Sequence, residues 1–494
     1  MLADTVREAA ERWGDAAFLV APSGWALTYR ALDSISDEVA GGLAELGVGE
    51  GDVVALVLPS IPEHAIAYAA AAKLGAITAG VNARLTPGER AAVIDRADPL
   101  VIIATADLAP DRPDVVTIVG AGGPDDALAP LRRVAATLPM LHANPDRPVA
   151  IVFTSGTTGV PKGAVFCERQ LEFICRTDTG GTWGGGGHSL SATSLAHLGP
   201  TTKLPGNLRR GGTIHLVDRW TAGAALALTE AHSMVSIAGI PTQVALMLQH
   251  PDFATTDLSS VKAIIVGGGP ATPALIRAAR ERIGAAVATR YGCTEAGVGL
   301  GTGFADDPSD AEVSVGRPHG GVELSLRDPD GGDEVPAGEV GEVCLRSPAV
   351  MSGYWRDPGA TRAAFWPDGF VRTGDLGRLD GSGRLHLVGR AREMYVRGGY
   401  NVFPMEVEGV LSTHPGVASV AVVAIPDDVM GELGVAVVVP RDPAAAPTLD
   451  ELRGHAATHL AHHKLPERLL VVDALPLTAM DKVDRAALAV LAAR

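Results

Sequence analysis

An α/β fold with parallel sheets covered on both faces is predicted by three observations. Apolar runs of strand length alternate with amphipathic runs of helix length through most of the 494 residues. The strand-length runs are continuously apolar rather than alternating, as strands buried on both faces must be. Helix punctuation stands between them, in the form of hydroxyl caps, first-turn prolines and terminal glycines.

Val53–Leu58, Leu100–Ala104, Val149–Phe153 and Val261–Val266 read as buried strands. Thr86-Pro87-Gly88-Glu89 is a capping box with proline at the first helical position. Thr272-Pro273 opens a second helix, in which Leu275, Ile276, Ala279 and Ile283 recur at helical spacing and Gly284 supplies the stop. Ala286–Arg290 is a further strand. After about residue 320 the texture changes to short strands with Gly/Asp turns, at Val322–Leu326, Val340–Leu345 and Arg384–Val388. Past a short basic stretch (Arg390, Arg392, Arg397) a compact α+β segment begins. It contains a helix at Pro404–Leu411, strands at Ala418–Ile425 and Val435–Val439, and a helix at Leu449–Leu460. Its ~100 residues suffice for a small domain, so the boundary is placed at 390, giving units 1–390 and 391–494.

Composition narrows the function. Hydrophobic residues make up 47%, enough for a large core, which excludes a disordered chain. The net charge of −16 and the lack of a long basic run argue against nucleic acid as a partner. The four cysteines, at 167, 175, 293 and 344, form no C-x-x-C pair and read as reduced thiols of a cytoplasmic protein. The N-terminus has no signal-peptide pattern. The longest apolar run, Ala65–Val81, is interrupted by Lys73 and falls short of a membrane span.

The chemistry concentrates in loops that follow strands. Thr154-Ser155-Gly156-Thr157-Thr158-Gly159-Val160-Pro161-Lys162-Gly163 places hydroxyls, glycine backbone and one ammonium directly after a buried strand, which favours phosphate binding. It is not a Walker A loop, because G-x-x-x-x-G-K-[ST] is absent. Gly267-Gly268-Gly269-Pro270 would let backbone lie against a flat ligand, or is a plain strand-to-helix turn. In Tyr291-Gly292-Cys293-Thr294-Glu295, the tyrosine could stack on a base or belong to the core. Glu295 is a hard oxygen ligand suited to Mg²⁺ or a solvated charge. Thr373-Gly374-Asp375 offers a carboxylate to paired hydroxyls such as those of ribose, or to solvent.

Together these segments resemble the adenylate-forming superfamily, which includes acyl-CoA synthetases, peptide-synthetase adenylation domains and beetle luciferases. The resemblance rests on TSGTTGVPKG (154–163), YGCTEAG (291–297), GYWRDPGAT (353–361), TGD (373–375), GRAREMYVRGGYNVFPMEVE (389–408) and PLTAMDKVDR (476–485), in the family's order across nearly the whole chain. It implies a large N-terminal domain of two doubly wound α/β subdomains plus a small β-barrel, with a small mobile α+β C-terminal domain.

The same resemblance implies roles. Thr154, Ser155, Gly156, Thr157, Thr158 and Lys162 would hold the ATP phosphates. Gly268, Gly269, Pro270, Tyr291 and Gly292 would bracket adenine, with Thr294 on the α-phosphate. Glu295 and Thr158 would hold Mg²⁺, and Asp375 and Arg390 the ribose. Lys482 would bridge the acyl carboxylate and the α-phosphate. Arg392 would be the hinge about which the C-terminal domain turns. Arg397, Gly398 and Gly399 would then line the CoA tunnel, unless the glycines serve only a turn. His197, Thr201, Thr202, Gly267, Gly292 and Cys293 would line the acyl site, with a core histidine as the plain alternative for His197.

Two departures stand out. Asp481 replaces the usual glycine before the lysine and could pair with Lys482. Ser194-Leu195-Ala196-His197 replaces an aromatic-rich P-L-F-H, and Ala196 suggests a wider pocket. The expectation is an ATP-dependent acyl-CoA synthetase for a bulky apolar, fatty or polycyclic acid, using ATP, Mg²⁺ and CoA. The alternatives are an acyl-AMP ligase loading a carrier protein, half of a split ligase pair, or a non-catalytic nucleotide-binding regulator. A homodimer is compatible with the sequence, which does not determine oligomeric state.

Overall fold

The computed structural model describes residues 2–120, 122–134, 137–154, 161–191, 193–478 and 482–493. The first sheet has six strands, in the order Val115–Ile118, Val101–Thr105, Val53–Val57, Ile77–Gly80, Pro148–Thr154 and Lys162–Cys167. The first five are parallel, and the last runs antiparallel to its neighbour. Strand order reverses between Val53–Val57 and Ile77–Gly80, so a crevice opens beyond their carboxyl ends, where such folds bind ligands. The apolar run of residues 65–81 resolves into the buried helix Pro62–Leu74 and the strand Ile77–Gly80. Lys73 interrupts that run without exposure, because its ammonium donates to Asp33 Oδ1 at 2.7 Å and to Asp37 Oδ1 at 2.6 Å.

The second sheet carries Ser236–Gly239, Ala263–Gly267 and Ala286–Tyr291 in parallel, extended by two short antiparallel strands at Leu300–Gly301 and Arg317–Pro318. A smaller sheet joins Ala26–Thr28, Ala17–Val20, Thr213–His215 and His188–Leu190. The Gly/Asp-turn region forms a four-stranded antiparallel sheet of Glu323–Arg327, Gly341–Arg346, Val371–Leu379 and Leu385–Arg390.

The last sheet pairs Val417–Asp427 along one edge of Gly431–Pro440, whose other edge meets Tyr395–Arg397 at Gly431 and Arg468–Val471 further along. Its core of Tyr395, Val407, Leu411, Val422, Val438 and Leu452 is its own. The expected capping box closes as written: Thr86 accepts from the Glu89 N–H, and the Glu89 carboxylate accepts from the Thr86 N–H at 2.8 Å. The helix expected at residues 449–460 ends at Ala456. There the Thr458 hydroxyl donates to the His455 carbonyl at 2.8 Å, in local competition with the helical ladder.

Candidate active site

Each parallel sheet ends in one half of the site. In the first, Thr154 and Lys162 face each other in antiparallel register at the base of the hydroxyl loop. Ser155, Gly156, Thr157 and Thr158 lie outside the described residues, as does Asp481. In the second, Gly267 pairs with Arg290. The exposed turn Gly268-Gly269-Pro270 therefore stands beside Tyr291 at the next strand's end. Gly268 adopts φ +79, which favours glycine.

Tyr291 is an anchored side chain. Its hydroxyl donates to Asp375 Oδ2 at 2.8 Å and lies 3.2 Å from Thr373 Oγ1. Burial, then the Asp375 charge, raises its pKa well above the usual phenol range, so it donates throughout neutral pH. Asp375, 7% exposed, also accepts from Arg390 Nε at 2.9 Å. These two residues face each other in register on adjacent antiparallel strands. One carboxylate oxygen is thus set by the phenol and the other by the guanidinium.

A second constellation follows Tyr291 in the chain. Glu295 Oε1 accepts from Tyr354 Oη at 2.7 Å. The half-buried Cys293 stands in the same turn, and burial with the charges of Glu295 and Asp375 raises its pKa well above the usual thiol range. Lys162 Nζ sits 5.2 Å from the Tyr354 ring centroid, in cation–π range. Tyr354 reaches both because it forms a bridge with Ala164 beside the strand that begins at Lys162. The Tyr354 N–H donates to Thr361 Oγ1 at 2.9 Å. Gly353 makes that approach possible: its φ is +143, and a Cβ there would lie 2.8 Å from Thr361 Cγ2. Thr294 is half-buried in the turn between the constellations, and Gly292 is exposed beside it.

Lys482 comes to these groups from the C-terminal segment. Burial and Arg390 weaken its ammonium form, while Asp375 supports it, so all three share one field. His197 lies in the same field. Its pKa falls to about 4 through burial, then through the charges of Lys482 and Arg84, leaving it neutral. Its Nε2 is 3.2 Å from Asn82 Nδ2, which follows the strand Ile77–Gly80 at the first sheet's crevice. Arg392 is close enough to Tyr354 to bear on its phenol, although burial and Glu295 prevail and raise that pKa.

Several expected residues are placed differently. Thr201 and Thr202 are buried in the helix Leu198–Arg210. Their hydroxyls donate to the carbonyls of Leu195 at 3.0 Å and Leu198 at 2.7 Å. Ala196 is 4% exposed and packs on Gly80, where a Cβ would lie 2.8 Å from Ala196 Cα. Arg397 is paired with Glu467, and the Gly398 N–H donates to the Met430 carbonyl at 2.8 Å. Those partners belong to the last sheet and its loops. Gly398 and Gly399 both take positive φ, at +55 and +86, as a tight hairpin requires.

Sequence reasoning missed the roles of Tyr354 and Asn82. Tyr354 stands inside the GYWRDPGAT segment, so its motif was visible while its contact was not.

The family model of the AMP-binding enzyme matches residues 6–355, and that of the AMP-binding enzyme C-terminal domain matches 406–482. A feruloyl-CoA synthase from Amycolatopsis sp is 34% identical over 475 residues, covering 93% of each chain. Among solved structures, the anthranilate CoA ligase AuaEII in complex with anthranoyl-AMP superposes with a TM-score of 0.89 at 26% identity, covering 100% of this chain and 98% of that one. The amide bond synthetase McbA from Marinactinospora thermotolerans gives 0.86 at 29% identity, with 99% of each chain covered. No helix among the described residues is long and apolar enough to cross a membrane. With strand-end clusters, family models and relatives in accord, the chain belongs to the AMP-binding enzyme family of the adenylate-forming superfamily, as an acid–thiol ligase of the AMP-forming acyl-CoA synthetase type.

Proposed function

We propose that this ligase activates an apolar carboxylic acid, ring-bearing acids foremost, as its acyl-AMP and then transfers the acyl group to CoA. The observation that supports the reading is that the charge of Lys482 acts on Arg390, Asp375 and His197, as a C-terminal lysine serving the nucleotide side of the cleft would. A lysine whose ammonium form is disfavoured there gains most from an incoming anion, because a carboxylate or phosphate restores its countercharge.

In the first step a carboxylate oxygen attacks the α-phosphorus and pyrophosphate leaves. Both reactants are anionic, so catalysis is positioning plus charge neutralisation. Lys482 lies between them. Asp375, set by Tyr291 and Arg390, receives the ribose hydroxyls, and Gly268–Pro270 lies against the base. Lys162 and Thr154 act on the terminal phosphates, as would Ser155, Gly156, Thr157 and Thr158. The donor set fits a hard cation: Glu295 is a carboxylate held by a phenol, and with Thr158 it would bind Mg²⁺, which when bound offsets the triphosphate charge. Neutral His197, held by Asn82, borders the acyl side with Gly267, Gly292 and Cys293. In the second step the CoA thiol attacks the acyl carbonyl and AMP leaves. For that step the unit 391–494 would turn about Arg392, bringing Arg397, Gly398 and Gly399 inward.

The feruloyl and anthraniloyl groups in the names of similar proteins support a ring-bearing acid. The likeness to an amide bond synthetase supports one competing acceptor, an amine. The test is a panel of aryl, fatty and terpenoid acids with ATP and Mg²⁺, supplied with CoA or an amine, and read by pyrophosphate release and mass spectrometry. Acyl-CoA from aryl acids is the expected product. Amide without thioester would replace CoA as acceptor, and no pyrophosphate from any acid would sink the reading.

A further inference from the structure

Away from the nucleotide cleft, three histidines from distant parts of the chain converge. His188 begins the strand His188–Leu190, and His215 ends the adjacent strand Thr213–His215. His232 caps the helix Ala222–Ala231 at its C-terminus. The two strands are parallel, with His188 opposite Thr213 and Leu190 opposite His215. His188 Nδ1 and His215 Nε2 are 2.9 Å apart, and the His232 ring stacks 3.9 Å from that of His215. One ring nitrogen from each lies within 4.8 Å of the others, and this is the one such group of potential metal ligands among the described residues.

We propose that His188, His215 and His232 form a binding site for a first-row divalent cation, Zn²⁺ foremost, with water completing the shell. Ring nitrogens on a tetrahedral zinc stand about 3.3 Å apart, given Zn–N bonds of roughly 2.0–2.1 Å. The His188–His215 pair therefore needs to open by only a few tenths of an ångström, the metal taking the place of the proton now shared between them. His215 is buried and fixed by its strand, whereas His188 is exposed and His232 half-buried, so the outer two can rotate towards a common centre. Gly184 and Gly185, at φ +100 and +81, lead into His188 and ease that adjustment. The helix C-terminus at His232 presents carbonyls and the negative end of its dipole, which favours a cation. Three imidazoles without thiolate suit zinc, copper or nickel over magnesium or calcium. The bound ion would tie two strands of the small sheet to a helix of the second sheet's layer.

The test uses the full chain without an affinity tag, stripped with EDTA and dialysed against Zn²⁺ or Co²⁺. One equivalent of zinc by elemental analysis and the visible bands of tetrahedral Co²⁺ are expected, with a rise in the thermal midpoint on adding metal. His188→Gln and His232→Gln should each weaken binding by at least about tenfold and abolish the metal-dependent rise, while adenylation stays at the wild-type level. His455→Gln, in the separate His414/His455/His459 group, should bind as wild type. If the variants unfold, the Co²⁺ spectrum of the wild type decides. Binding below one equivalent, an octahedral Co²⁺ spectrum, or undiminished binding in the double variant overturns the site.

Discussion

Replacing Tyr354 with Phe isolates one contact of the site. The change deletes the hydroxyl 2.7 Å from Glu295 Oε1 but leaves the ring under Lys162. A hydrogen bond to a charged group is worth about 1.5–3 kcal/mol. At about 1.4 kcal/mol per decade, its complete expression in the transition state would cost roughly 10- to 150-fold. Tyr354 is half-buried, so water can partly replace the lost donor. The lower end is therefore expected, about tenfold in kcat/KM for ATP, increasing when magnesium is limiting. Because the ring remains, stability should change by under about 1 kcal/mol. The assay is ATP–pyrophosphate exchange across a magnesium titration, for Tyr354→Phe, Glu295→Gln and the pair. Tyr354 acts through Glu295, so the two losses must be less than additive. Wild-type exchange at every magnesium level, or full additivity, would refute the coupling.

Lys482→Ala should lower adenylation by on the order of 100-fold or more, while thioester formation from supplied acyl-AMP survives better; equal loss of both would contradict the assignment of Lys482 to the first step. His64 and His197 are both held at about 4, chiefly by burial, against about 6.5 in the unfolded chain. Their stabilising contribution is therefore complete above pH 6.5 and drains as pH falls towards 4, because the unfolded chain then binds the extra protons. Denaturant titrations at pH 7 and pH 5 should show this fall, and a smaller one in His64→Leu; identical differences in the two proteins would contradict it. Gly80→Ala would push a methyl to 2.8 Å from Ala196 Cα, overpacking the crevice wall by about 1–3 kcal/mol, which a drop in denaturation midpoint would register.

What was legible in the sequence was local or periodic. The Pro404–Leu411 helix appears with those same bounds, because a proline at its first position writes its start. Gly284 stops its helix at φ +75 as expected. The family resemblance implies Asp375 and Arg390 as a ribose pair, but their contact needs a sheet register that no spacing states. What could not be read depended on distant segments meeting. The Glu295–Tyr354 bond spans 59 positions, and the three histidines follow no helical or strand period. The packing of Ala196 on Gly80 was unreadable for the same reason, because Gly80 lies on a strand more than a hundred residues earlier.

The register of Asp375 against Arg390 has a mechanical outcome. The strand that aims this guanidinium ends at Arg390. The Ala391 N–H donates to the Gly374 carbonyl at 3.1 Å, and only four residues later the chain enters the last sheet at Tyr395. Under the proposed roles, a swivel of that terminal unit would tug on the Asp375–Arg390 pair that would hold the ribose. Letting go of spent nucleotide and resetting the enzyme for another turnover would then be one motion, and stiffening the short connector should slow both together.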